Sequence, residues 1–363
     1  MKKTTRVSLG VLAVMMVLTL SACGAKGASS SDSKNDDSKK ESTFSSALVT
    51  DIGGVDDKSF NQSAWEGMQA WGEENGLEKG VGGYDYFQSG NESEFITNID
   101  QAVQANFDVI YGIGFALREA ILSEAEQNPD TNFVIVDDVI EDLDNVASAV
   151  FADNESSYLA GVAAGKTTKT QKIGFIGGTE GAVIGRFQAG FEAGIAAVNP
   201  SAVVVVEYAG TYGDPAKGKT IASAMYAGGC DIIFQVAGGT GAGAFSEAIA
   251  INQGKASDAA DKVWIIGVDR DQIEEGAYKA NDGKESNLTL CSTTKGVGAT
   301  VIAINKLAQD GNFPGGKVET YGIKAGGVDL ANDNLSDDVI SEVDNAREEI
   351  IDGEIKVPTG LAE

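Results

Sequence analysis

The sequence predicts an α/β protein of two lobes, each a parallel sheet flanked by helices, and three observations carry that expectation. Short β-branched or aromatic runs alternate with helical stretches along most of the chain, the pattern of parallel strands joined by right-handed crossovers. The 363 residues are too many for one ordinary domain and suit two. There are 46 glycines against 5 prolines, which fits a chain with many tight strand-to-helix turns.

Strands are expected at residues 47–50, 108–112, 133–137, 146–151, 172–176, 203–208, 231–236, 263–268 and 288–292. Helices are expected between them at 59–75, 93–106, 116–127, 156–169, 182–198, 216–227, 243–253 and 295–309. Ser59-Phe60-Asn61-Gln62 has the Ser-x-x-Gln form of a capping box, ahead of Trp65, Met68 and Trp71 at core-like spacing. A lobe boundary is expected at residues 152–155, where the strand run gives way to polar residues. A first lobe is expected over 46–152 with about 270–310, and a second over 153–269 with about 311–363.

Composition excludes several function classes. The formal charge is −27; Lys2, Lys3 and Arg6 contribute +3 within the first 22 residues, so the rest carries −30, which disfavours nucleic acid and anionic lipid as partners. Histidine is absent, which removes histidine triads and histidine-ligated zinc. No zinc or other metal pattern and no cofactor motif is present. Cys230 and Cys291 fall in or beside apolar runs and read as small core residues, and their spacing leaves open whether they pair.

The N-terminus reads as an address. Lys2, Lys3 and Arg6 precede an apolar stretch from Val7 to Leu20, followed by Ser21-Ala22-Cys23. The stretch is shorter than the roughly 20 residues that span a bilayer. Small residues before a cysteine fit a lipoprotein cleavage box, so residues 1–22 are expected to be removed and Cys23 to carry the lipid. Residues 23–45 then form a polar, flexible tether that holds the lobes at the outer face of the cell membrane.

In open parallel sheets, ligands bind beyond the carboxyl ends of the strands. Asp51, Asp137 with Asp138, and Asp269 each end an expected strand. One such Asp is most often a turn or helix cap, but three recurrences point to a site. Carboxylates accept from vicinal hydroxyls and Lys295 can donate to the same ring, which suits a neutral polyhydroxylated ligand. Phe60, Phe115 and Phe187 lie on or near the same loops, and flat apolar faces beside hydroxyl-binding carboxylates suit a sugar or a nucleoside. The run Gly238-Gly239-Thr240-Gly241-Ala242-Gly243 is not a phosphate cradle, lacking the G-x-G-x-x-G order and a following Lys-Ser or Lys-Thr. It reads as a tight turn whose bare N–H groups approach a ligand hydroxyl.

Taken together, these pieces resemble one family. They are Thr50-Asp51-Ile52-Gly53-Gly54-Val55-Asp56-Asp57-Lys58-Ser59-Phe60-Asn61-Gln62, Gly112-Ile113-Gly114-Phe115, Val136-Asp137, Arg186-Phe187-Gln188-Ala189-Gly190-Phe191, Gln235-Val236-Ala237-Gly238-Gly239-Thr240-Gly241, Gly267-Val268-Asp269 and Thr294-Lys295. In this order behind a lipobox, they resemble the basic membrane protein family of lipoproteins, whose best-understood members are purine nucleoside receptors of ABC importers. The resemblance implies a type I periplasmic-binding-protein fold, two lobes joined by three crossings that close on a nucleoside, with ABC permease subunits as partners and no enzymatic activity. It implies that Phe60 and Phe187 sandwich the base, that Asn61 and Asp137 bond its polar edge, that Asp269, Lys295 and the Gly239 backbone hold the ribose, and that Asp51 lines the cleft. Alternative readings are a simple-sugar receptor of the same architecture, a secreted nucleoside hydrolase using a cation among the aspartates, and a surface adhesin.

Overall fold

The computed structural model describes residues 44–360; the expected signal peptide, Cys23 and nearly all of the tether lie outside the described residues. The first sheet contains β1 (Ser46–Thr50), β2 (Tyr84–Phe87), β3 (Val109–Ile113), β4 (Asn132–Val136), β5 (Val146–Phe151) and β13 (Val318–Tyr321), in the order β13-β5-β4-β3-β1-β2 and parallel throughout. The second contains β6 (Lys172–Gly177), β7 (Val203–Tyr208), β8 (Ile232–Val236), β9 (Trp264–Gly267), β12 (Thr289–Lys295) and β14 (Val328–Ala331), in the order β14-β12-β9-β8-β6-β7. Only β14 runs antiparallel there, against β12. A small hairpin, β10 (Ala277–Lys279) and β11 (Glu285–Asn287), stands apart.

Helices cover both faces of each sheet, which is why the inner strands are almost continuously apolar; all five residues of β1, β3 and β8 are buried. The first lobe carries α1 (Phe60–Glu74), α2 (Phe95–Gln104), α3 (Arg118–Gln127) and α8 (Val297–Gln309). The second carries α4 (Asp153–Thr167), α5 (Ala182–Val198), α6 (Pro215–Ala227), α7 (Gly241–Gln253) and α9 (Asp337–Ile351). Part of the glycine excess serves helix contact rather than turns. A Cβ on Gly161 of α4 would lie 2.2 Å from the Phe191 carbonyl oxygen, and one on Gly194 of α5 2.1 Å from that of Tyr158, so the two backbones touch only because both residues lack side chains.

The chain crosses between lobes after β5, after β12 and between β13 and β14. The expected lobe boundaries near 270 and 310 are therefore corrected to about 296 and 322, since β12 pairs with β9 of the second sheet and β13 with β5 of the first. A strand run shows that a strand exists, not which sheet it joins.

Two local expectations also change. The capping box does not form: the Ser59 side chain caps nothing on α1. Asp57 takes that place, its Oδ1 accepting from the backbone N–H of Ser59 at 2.8 Å and Gln62 at 3.1 Å, and its Oδ2 from that of Asn61 at 2.9 Å. Cys230 and Cys291 are both buried and free. Among the described residues, no helix is long and apolar enough to cross a membrane.

Candidate functional site

The carboxyl ends of both sheets face one cleft holding about 470 Å³ of atom-free space, part of it open to solvent. Asp51 follows β1, Gly114 and Phe115 follow β3, and Asp137 follows β4 on the first lobe. Gly238 follows β8, Asp269 follows β9, and Lys295 ends β12 on the second. Phe60 and Asn61 enter from the first turn of α1, and Val183, Ile184 and Phe187 from α5. Of the expected site residues, Asp51, Phe60, Asn61, Asp137, Phe187, Asp269 and Lys295 all line this cleft. Gly238, with φ 51°, lines it in place of the expected Gly239, which sits beside the Tyr212 carbonyl, whose oxygen a Cβ would meet at 3.1 Å.

Lys295 is the electrostatic centre. Its Nζ lies 2.6 Å from Asp137 Oδ2 and 3.0 Å from Asp153 Oδ1, and Arg186 Nη2 reaches Asp153 Oδ2 at 3.2 Å. The same ammonium sits 5.0, 5.1 and 5.5 Å from the ring centroids of Phe60, Phe151 and Phe187. Burial alone would lower its pKa, but Asp137, Asp153 and Asp269 more than offset this and raise it above the ordinary lysine range, so Lys295 remains charged.

The carboxyls respond the other way. Burial pushes Asp269 up to about 7 and Asp137 to about 6, with Lys295 opposing in both cases. Burial also raises Asp51 to about 6, against bonds from the Gly53 N–H and the Asn61 amide. Asp137 and Asp269 hold left-handed backbones, φ 70° and 67°, a strain for non-glycine residues that concentrates at functional sites.

Asn61 has a defined orientation. Its Nδ2 donates to Asp51 Oδ1 at 2.8 Å and Asp57 Oδ2 at 2.9 Å, which leaves Oδ1 as the free end of the amide. That oxygen and Asp137 Oδ1 are buried without a partner among the described residues. Two unpaired acceptors on cleft-lining residues suit a ligand that brings N–H or O–H donors.

Sequence reasoning missed Asp57, Asp153 and Tyr212. Asp153 reads as one of several polar residues at a lobe boundary, and Tyr212 sits in a loop without a motif; its ring meets that of Phe115 edge-on, centroids 6.5 Å apart, across the cleft. Asp57 was visible within the Asp56-Asp57 pair but had no strand end to single it out.

Two α/β lobes facing each other across a cleft at the carboxyl ends of both sheets, lined by aspartates, a lysine and aromatic rings, have the architecture of a two-lobed substrate-binding protein. The chain belongs to the PnrA-like family of ABC transporter substrate-binding proteins, matching it over residues 44–360. It is 51% identical over 349 residues to the ABC transporter nucleoside-binding protein BmpA of Lactococcus lactis subsp. cremoris, covering 96% of this chain and 99% of that one. It is 33% identical over 319 residues to basic membrane protein A of Borreliella burgdorferi, covering 86% and 87%. A solved ABC transporter solute-binding protein from Aeropyrum pernix K1 superimposes with a TM-score of 0.74 at 24% identity, over 87% of this chain and 94% of that one. The Caulobacter myo-inositol binding protein does so with a TM-score of 0.58 at 15% identity, over 85% and 98%, and both likenesses speak to the fold alone. The family and the type I binding-protein fold expected from the sequence both hold.

Proposed function

We propose that this protein captures purine nucleosides outside the cytoplasm and delivers them to an ABC permease, tethered to the membrane by lipid on Cys23. The observation that carries the ligand class is the pairing of Phe60 from one lobe and Phe187 from the other around a lysine with buried carboxylates, all lining one cleft. In this reading the base lies between the two rings, and Asn61 Oδ1 and Asp137 Oδ1 accept from its polar edge. Asp269 and Lys295 take the ribose hydroxyls, the Gly238-Gly239 turn approaches them with backbone N–H groups, and Asp51 fixes Asn61. The relative named nucleoside-binding at 51% identity supports it.

Calorimetric titration with guanosine, inosine, adenosine, free guanine, ribose and myo-inositol tests the ligand class. Saturable binding of nucleosides without ribose is expected, and binding of ribose or myo-inositol without any nucleoside would replace this reading by the sugar receptor. For the anchor, Cys23→Ser should release the protein from membranes and abolish fatty-acid labelling. Persisting label would end that part of the proposal.

A further inference from the structure

Ser59 and Gln272 stand outside the cleft lining, yet both bond across the gap between the lobes. Ser59 is fully buried at the start of α1, and its hydroxyl donates to Asp269 Oδ2 at 2.8 Å, with the Val268 carbonyl at 3.2 Å. Gln272 is buried on the second lobe, and its Nε2 donates to the Lys58 carbonyl at 2.7 Å. Glu66 and Arg270 add a pair at 3.2 Å on the rim, but both are solvent-accessible and such pairs contribute little.

Each side of this contact is built within its own lobe. Gln272 Oε1 accepts from Gln235 Nε2 at 2.8 Å and from the Val268 N–H at 2.9 Å, which settles the amide orientation and leaves its N–H for the other lobe. The Gln272 backbone is pinned by Ser292 Oγ at 3.1 Å and Thr289 Oγ1 at 3.0 Å. On the first lobe, Asp57 holds the Ser59 N–H, and Lys58 takes a left-handed backbone, φ 60°, at the residue whose carbonyl Gln272 meets. Neither lobe makes these two bonds by itself.

We infer that Ser59 and Gln272 are positioning residues that couple closure of the lobes to retention of the ligand: Gln272 docks the second lobe on the Lys58 carbonyl, and Ser59 occupies one oxygen of Asp269 so that the other faces the cleft. Capture then gains a term that exists only when the lobes are shut, and such a term slows release more than it speeds entry. The inference rests on the nucleoside reading only for its test ligand.

Stopped-flow fluorescence with guanosine measures association and dissociation separately. Ser59→Ala removes one bond. Gln272→Glu keeps the oxygens that Gln235 and Val268 need but presents a carboxylate to the Lys58 carbonyl. Ser59→Ala should speed dissociation about five- to tenfold, the weight of one lost hydrogen bond, and Gln272→Glu at least as much because two acceptors then face each other, with association changed less than about twofold in both. Ser59→Thr, which retains the hydroxyl, should restore slow release. Dissociation within about twofold of wild type in both variants, or a loss carried by association, overturns the inference. If the wild type binds no nucleoside, the proposed function fails and the latch is judged on ligand-free protein, from the carbon-13 titration of the Asp269 carboxyl assigned with Asp269→Asn. Lys295, Asp137 and Asp153 also act on that carboxyl, and all three remain in Ser59→Ala. An upward shift of its midpoint in Ser59→Ala sustains the bond across the cleft, and an unchanged midpoint ends it.

Discussion

Replacing Lys295 by Met removes a charge while nearly keeping the side-chain volume, and the geometry of the cleft sets the consequence. Lys295 is 5% exposed and faces Asp137 at 2.6 Å and Asp153 at 3.0 Å, with Asp269 acting on it as well. Without it, three buried carboxyls are left with Arg186, which pairs with Asp153. Removing one partner of a buried pair costs about 3–5 kcal/mol, because the other charge stays desolvated. The carboxyls can escape that cost by taking up protons. Asp137 and Asp269 already titrate at about 6 and about 7 with Lys295 pulling both down, so its loss pushes both higher. At pH 5 the wild type already holds protons on both, and the variant loses little by comparison. At pH 8 both are ionised in the wild type, and the variant must bury charge or bind protons against the pH. Urea unfolding should therefore show a deficit of about 3–5 kcal/mol at pH 8 and less than about half of that at pH 5. Equal deficits at the two pH values, or none at pH 8, would refute the electrostatic account of this cluster.

The same cleft sets other outcomes. Phe60→Ala should cost mainly nucleoside affinity, about 1–3 kcal/mol. Phe187→Ala should cost affinity and also about 3–5 kcal/mol of stability, because that ring is buried against Phe234 at 6.3 Å; calorimetry and unfolding on both variants separate the two effects. Asp269→Ala should weaken nucleosides by about 1.5–3 kcal/mol and leave the free base almost unchanged, and equal losses by calorimetry would remove Asp269 from the ribose. Affinity should also fall as pH drops from 7 to 5. With its value raised from 3.8 to about 7, Asp269 gives the ligand-free fold a stability that is complete below the ordinary value and lost as pH rises through 7, whereas ribose hydroxyls prefer the ionised form. Binding at pH 6 should then release protons, seen as a buffer-dependent calorimetric enthalpy, and buffer-independent enthalpies would show that Asp269 does not titrate on binding.

Much of the fold was legible because its signal is local. The runs 146–151 and 203–208 and the helix 182–198 coincide with β5, β7 and α5 to the residue. Several elements escaped, among them the β10–β11 hairpin and β14, and three show why. β2, with Tyr-Asp-Tyr-Phe, and β13, with Val-Glu-Thr-Tyr, are short and polar-interrupted, the composition of edge strands, and each ends up at a sheet edge. α9 was readable, since Val339, Val343, Ala346 and Ile350 are buried at spacings of 4, 3 and 4, a helical stripe on an acidic segment. In the site, the strand-end aspartates and the aromatics near them were visible because topology directs strand ends to the cleft. Asp153 as a partner of Lys295 was not, because it lies 142 positions away on another element and only the crossing geometry brings them together.

The sequence shows no strict repeat, yet the two lobes repeat in architecture, and this locates the charge cluster. From β2 and β7 inward, β1 corresponds to β6, β3 to β8, β4 to β9, β5 to β12 and β13 to β14. Asp137 after β4 and Asp269 after β9 are thus equivalent positions, and both take the left-handed backbone that ends the strand abruptly at the cleft. Lys295 closes β12 just before the crossing into α8, and Asp153 opens α4 just after the crossing from β5, so they too sit at matching places, at the first two connections between lobes. Their 3.0 Å ion pair joins one connection to the other, while Asp137 reaches the same lysine from the opposing lobe. The two residues are carried by different sheets, so the Lys295–Asp137 pair bridges the lobes. On the proposed function, a ligand bonding to Lys295, Asp137 and Asp269 would engage a contact that bridges the lobes, which would couple its capture to their closure.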